Sequence, residues 1–89
     1  MKIQIEKNPS QERLDELGVS SWSIWEKEPS TFPWQYSDSE HCYILEGEAT
    51  VKTPEEEVTF GKGDLVLFPA GLSCTWTINK AIRKHYRFE

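Results

Sequence analysis

Long apolar runs are missing from this chain, and no stretch approaches the ~20 residues a membrane-spanning helix needs. Cysteine is scarce: Cys42 and Cys74 are the only two in 89 residues. Two thiols are too few for a disulfide-scaffolded secreted module or a four-thiolate zinc site, and their spacing is not a CxxC. Basic residues are outnumbered, 10 against 15 acidic ones, for a formal net charge of −5. That balance argues against nucleic acid and anionic membranes as partners, because both call for a clustered basic face. The opening Met1 to Glu6 has no apolar stretch of the signal-peptide kind. The expectation is a cytoplasmic domain with reduced thiols and no membrane or nucleic-acid partner.

Aromatic residues, by contrast, are plentiful: 4 Trp, 3 Tyr and 4 Phe. The length allows one domain, and a chain of this size buries roughly two-thirds of its unfolded surface. A short helix is marked by Asn8 as N-cap, Pro9 at the first helical position, Gln11 as capping-box partner and Gly18 as the stop. Leu14 and Leu17 give it an apolar edge, suited to a lid or end-plug. Residues 1–20 therefore hold an N-terminal strand and this helix, and 21–89 hold the main body.

After Gly18 the chain reads as short strands broken by turns. Apolar and β-branched runs at Trp22–Trp25, Phe32–Tyr36, Cys42–Leu45, Ala49–Lys52, Val58–Phe60, Leu65–Phe68, Ser73–Ile78 and Ile82–Phe88 alternate with turn residues. Those at Glu46-Gly47-Glu48, Gly61–Asp64, Pro69–Gly71 and Asn79-Lys80 are the clearest. This spacing predicts an all-β sandwich or small barrel. No helices alternate with the strands, which excludes parallel α/β architectures.

Two segments sharpen the reading. Gly63 is followed after five residues by Pro69, and after one more by Gly71; Glu40 is separated by six residues from Gly47. Glycine at 47, 63 and 71 permits tight or positive-φ turns, and Pro69 stiffens one of them. In this pattern the chain resembles the cupin superfamily, which implies a single RmlC-like jelly-roll barrel with one short N-terminal helix. Trp22, Trp25-Glu26, Phe32, Trp34, Tyr36, Glu40 to Glu48, Trp76 and Arg83 to Tyr86 further resemble the small single-domain cupins grouped with (S)-ureidoglycine aminohydrolase, a manganese enzyme of two cupin units. That resemblance implies a hydrolase acting on a ureido compound.

Cupins usually hold a divalent metal through a His-x-His pair, a Glu and a later His. By the resemblance those places fall on Trp34 and Tyr36, on Glu40 and on Cys74, so only the Glu keeps its type. No cofactor is expected; any divalent metal would rest on Glu40 and Cys74 alone, one hard donor and one soft. If Glu40 faces inward, Cys42 and Ile44 share its face and His41 points out.

The inward set is thus Trp34, Tyr36, Glu40, Cys42, Cys74 and Trp76. It describes either a packed core or a small-molecule pocket, since ligand sites are mostly apolar with few polar anchors. A buried Glu40 needs a partner, and Lys84 or the Tyr36 hydroxyl can supply one. Glu40 is then the polar anchor or a general acid/base, and Cys74 a secondary contact. The basic Arg83–Arg87 stretch is either a strand with one charged face or an anion clamp. Outward Tyr43 and Leu45 offer a face for a homodimer. Three functions stay open: small-metabolite binding, metal-dependent or metal-independent hydrolysis, and a non-catalytic dimeric protein with a filled barrel.

Overall fold

A computed structural model describes residues 1–89. Seven strands form one antiparallel sheet that curls over the main core. They are β1 (Gln4–Lys7), β2 (Ser23–Lys27), β3 (Ser30–Gln35), β4 (Glu40–Lys52), β5 (Glu57–Gly61), β6 (Asp64–Phe68) and β7 (Ser73–Phe88). One helix, α1 (Gln11–Leu17), and a 3-10 turn (Val19–Ser21) join β1 to β2. The main path runs β1-β6-β4-β7-β2, with β3 also on β7 and β5 also on β4.

The two long strands hold the architecture together. β4 and β7 pair along nearly their whole length, Glu40 opposite Phe88 and Lys52 opposite Thr75. Each divides its other edge between two neighbours: β4 pairs with β6 through residues 40–43 and with β5 through 48–52. Likewise β7 pairs with β3 through 73–78 and with β2 through 82–86. The expected turns at Glu46–Glu48 and Asn79-Lys80 are therefore not turns. The strands run straight through both, with register shifts between Ile44 and Ala49.

Those shifts leave a visible mark on the pattern of burial. Glu40, Cys42 and Ile44 face the interior at even positions, whereas Ala49 and Val51 do so at odd ones. Side chains alternate with period two, so only irregular pairing between them can switch the parity. Gly47 makes the irregularity possible. Its φ is +92°, and a Cβ there would overlap the backbone carbonyl of Ala81. Gly47→Ala is expected to cost more than the ~1–3 kcal/mol of a strained backbone conformation alone, read as a lower urea midpoint with β4 and β7 forced apart.

The core holds Phe60, Phe68, Ile44, Val51, Val66 and Cys42, all fully buried. A second, smaller cluster lies on the outer face of the sheet. There Leu14 of α1, Val19, Trp22 and Leu65 pack together with Leu17 and Tyr43. The helix thus covers the outside of the sheet rather than plugging an end of the barrel. Tyr43 is committed to this contact, which removes it from the free face expected for a dimer.

The helix begins one turn signal later than expected. Ser10, not Asn8, is the N-cap, its hydroxyl accepting from the Arg13 N–H at 3.2 Å. Asn8 instead takes φ +45°, a left-handed conformation that Asn tolerates better than most residues. Gly18 ends the helix in the left-handed conformation, as its sequence position suggests.

Candidate functional site

Tyr36 leaves β3 at the point where the β6–β7 turn closes on it. Its N–H donates to Leu72 O at 2.9 Å, and its carbonyl accepts from Gly71 N at 2.7 Å. Gly71 can make that contact because it sits at φ +87°. The phenol ring stacks on Phe68, with centroids 5.1 Å apart and planes at 12°. Backbone and ring together aim the hydroxyl at Glu40, to which it donates at 2.7 Å.

Lys84 completes the group from β7. It lies opposite Ile44 in the register, and its ammonium donates to the other Glu40 oxygen at 2.7 Å. Glu40 and Lys84 are only 3% and 5% exposed. The ammonium also sits 4.6 Å from the Trp76 ring centroid and 4.9 Å from that of Trp25, within the range of cation–π attraction. Burial, and then the neighbouring Glu40 charge, hold ionisation of the Tyr36 hydroxyl far above its ordinary range. Tyr36 is accordingly a hydrogen-bond donor at any workable pH.

This network is the floor of an open cleft of about 240 Å³. Trp25, Phe32, Trp34, Tyr36, Trp76, Tyr86 and Phe88 line it with Glu40 and Lys84. Sequence reasoning found five of these nine and missed Trp25, Phe32, Tyr86 and Phe88. Two-residue alternation held the signal for three: Phe32 precedes Trp34 by two, and Tyr86 and Phe88 continue the parity of Lys84. Trp25 needed the cross-strand register, where it stands opposite Lys84.

Trp34, expected inside, is 48% exposed at the rim beside Phe88 at 47%. Tyr36, two residues further on, is buried on the floor, whereas Trp34 stands at the mouth.

The cysteines correct the expectation further, since neither lines the cleft. Cys42 lies between Glu40 and Ile44 on β4 and belongs to the solid core. Cys74 is also buried and directs its Sγ at the Trp34 carbonyl, 3.6 Å away. Both thiols are free. Burial pushes Cys42 up to about 12 and Cys74 up to about 11. The thiolate is the reactive form, so a disulfide reagent at about pH 8 is expected to modify neither thiol until the protein unfolds.

Both histidines stay outside the cleft, around Trp22. The His41 ring packs 5.4 Å from the Trp22 ring, and burial lowers its pKa; His85 Nδ1 is 3.1 Å from the Trp22 carbonyl. Alternation also divides the basic stretch. Lys84 and Tyr86 face the cleft, while Arg83 pairs with Glu26 and Arg87 with Glu89 outside. The stretch thus carries charge on both faces, with Lys84 paired to Glu40 on the cleft side and Arg83 and Arg87 paired outside.

The donor set does not fit the metal that the cupin resemblance implies. No three His, Cys, Asp or Glu side chains converge anywhere in the chain. Both Glu40 oxygens already accept hydrogen bonds, and the other expected ligand places hold two aromatic side chains and a thiol turned onto a backbone carbonyl. A catalytic zinc site, for comparison, takes three protein ligands.

The profile of the EutQ-like cupin domain matches residues 14–86. This chain belongs to the EutQ-like cupin family. Over 99% of its length it is similar to a crystal structure of a DUF861 family protein from Thermotoga maritima, at 47% identity and a TM-score of 0.95, covering 100% of that chain. The EutQ protein of Clostridium difficile is 19% identical over 97% of this chain and 66% of its own, with a TM-score of 0.69. A cupin-2 domain protein from Shewanella frigidimarina is 14% identical over 74% of this chain and 67% of its own, with a TM-score of 0.62. These last two likenesses establish the fold alone. Comparison with proteins of curated function finds no match. The EutQ-like cupin has no helix long and apolar enough to cross a membrane.

Proposed function

We propose that this EutQ-like cupin is a binding module that holds a small metabolite in the aromatic cleft without turnover. One observation carries the reading: a fully paired, buried polar floor lies beneath an open cleft whose rim exposes Trp34 and Phe88. A filled barrel would have placed apolar side chains there and needed no buried ion pair. Ligand sites combine mostly apolar walls with a few fixed polar groups in this way.

Glu40 acts here as an anchor. The Lys84 ammonium and the Tyr36 hydroxyl each donate to one of its oxygens at 2.7 Å and hold the carboxylate in one orientation beneath the cleft. Hydrolysis of a ureido compound, as implied by the resemblance to the ureidoglycine aminohydrolase group, has no ligand set to support its manganese. The reading accordingly expects no stoichiometric metal by elemental analysis after manganese, zinc or iron is added and the protein desalted.

The direct test is a fragment library screened by thermal shift against the wild type and Trp25→Ala. A fragment at 100 times its Kd stabilises by about 2.7 kcal/mol. Hits that raise Tm in the wild type and lose that effect in the variant support the reading. An absence of hits, or hits indifferent to Trp25, overturns it.

A further inference from the structure

The charge balance of the floor says what kind of molecule the cleft accepts. We infer that its ligand is an uncharged, planar ring system with one hydrogen-bond acceptor, a carbonyl oxygen or ring nitrogen, that meets Lys84. This inference rests on the binding reading above and names the ligand class for the same site.

Three features support it. The first is electrostatic. Lys84 and Glu40 are buried 2.7 Å apart and together contribute no net charge. An anion drawn to the ammonium comes against the carboxylate, and a cation drawn to the carboxylate comes against the ammonium. Neither gains enough to offset loss of its hydration, which for an ion in a low-dielectric site is several kcal/mol. A neutral molecule avoids that cost.

The second is the supply of donors. An ammonium has three N–H groups and no acceptor. One is used on Glu40, and the ammonium otherwise lies over the rings of Trp25 and Trp76. An acceptor atom on the ligand exchanges one of these weaker contacts for a charge-assisted hydrogen bond.

The third is shape. Seven aromatic side chains form the walls, and aromatic rings pack best on other rings, stacked with an offset or edge to face. At about 240 Å³ the cleft lies just below the roughly 300–1,000 Å³ usual for small-molecule sites, which suits a small ring system. The exposed Trp34 and Phe88 at the rim give such a ring an apolar entry.

Three probes of matched shape test the inference by tryptophan fluorescence titration: 2-quinolinone (neutral), quinoline-2-carboxylate (anionic) and quinolin-2-ylmethylammonium (cationic). Wild-type protein is expected to bind 2-quinolinone at least tenfold more tightly than either charged probe. Glu40→Gln removes the carboxylate and leaves the ammonium, so there the preference is expected to swing to quinoline-2-carboxylate by tenfold or more. Where Glu40→Gln does not fold, the double variant Glu40→Leu with Lys84→Met serves instead. It is expected to keep rejecting both charged probes while binding 2-quinolinone at least tenfold more weakly, because the donor is gone.

A charged probe that binds the wild type as well as 2-quinolinone overturns the ligand class and leaves the binding reading standing. The class also fails if Glu40→Gln leaves the ranking unchanged, or if the double variant binds 2-quinolinone as the wild type does. No binding by any of the three overturns the class; the fragment screen above then decides separately whether the cleft binds ligands at all.

Discussion

Lys84→Met is expected to remove about 3–5 kcal/mol of folding stability, the range for breaking a buried ion pair from one side. For a chain of this length total stability is of order 5–13 kcal/mol, so the variant stands near the edge of folding. The loss comes mainly from Glu40. With Lys84 gone, a carboxylate only 3% exposed keeps the Tyr36 hydrogen bond and no counter-charge. Replacing both partners, Glu40→Leu with Lys84→Met, is expected to restore most of the loss, since apolar substitutes for a buried pair are often neutral or better. Urea midpoints of the two variants at neutral pH measure both effects. A Lys84→Met loss below about 1 kcal/mol, the level of a surface pair, would show that the pair is solvated.

The other large effect belongs to Trp76. This ring is 2% exposed and lies at the meeting point of the core and the cleft. It stacks parallel to Phe32 at 6°, contacts Phe60 edge-on at 83°, and lies 5.3 Å from Phe68 and 4.6 Å from the Lys84 ammonium. Trp76→Ala is expected to cost about 3–5 kcal/mol, as for other buried aromatic truncations, and also to abolish ligand binding. Trp34→Ala separates the two roles. Half exposed at the rim, Trp34 should cost under about 1 kcal/mol by urea denaturation while still weakening fragment binding. Equal stability losses in the two variants would contradict the division between core and rim.

Much of this was legible in the sequence because it is set locally. Gly18, Gly63 and Gly71 mark points where the backbone takes a positive φ. The alternation Glu40, Cys42, Ile44 places one face of β4 inside, and the partners of Glu40 follow from the rule that a buried carboxylate must be matched. What escaped depends on pairing between distant strands. The parity switch across Gly47 and the unbroken passage of β7 through Asn79-Lys80 cannot be read from either strand alone. Depth was hidden for the same reason. Alternation says which side chains point inward, but not which of them meet packed core and which meet the open end. Cys42 and Glu40 share a face, yet Cys42 is sealed in the core while Glu40 forms the floor of the cleft. Trp25 joins the site only through its register with Lys84.

The four tryptophans provide the most direct test of the central claim, that the aromatic cleft over Glu40 and Lys84 is where a ligand binds. Trp25, Trp34 and Trp76 line the cleft, and Trp22 packs in the separate cluster beneath α1. In a two-dimensional ¹H–¹⁵N spectrum each indole N–H gives its own resonance. Titration with a hit from the fragment screen is predicted to move those of Trp25, Trp34 and Trp76 along saturating curves with one shared Kd, while that of Trp22 stays still. Saturating shifts confined to Trp22, or no saturating shift at the three cleft indoles, would contradict it.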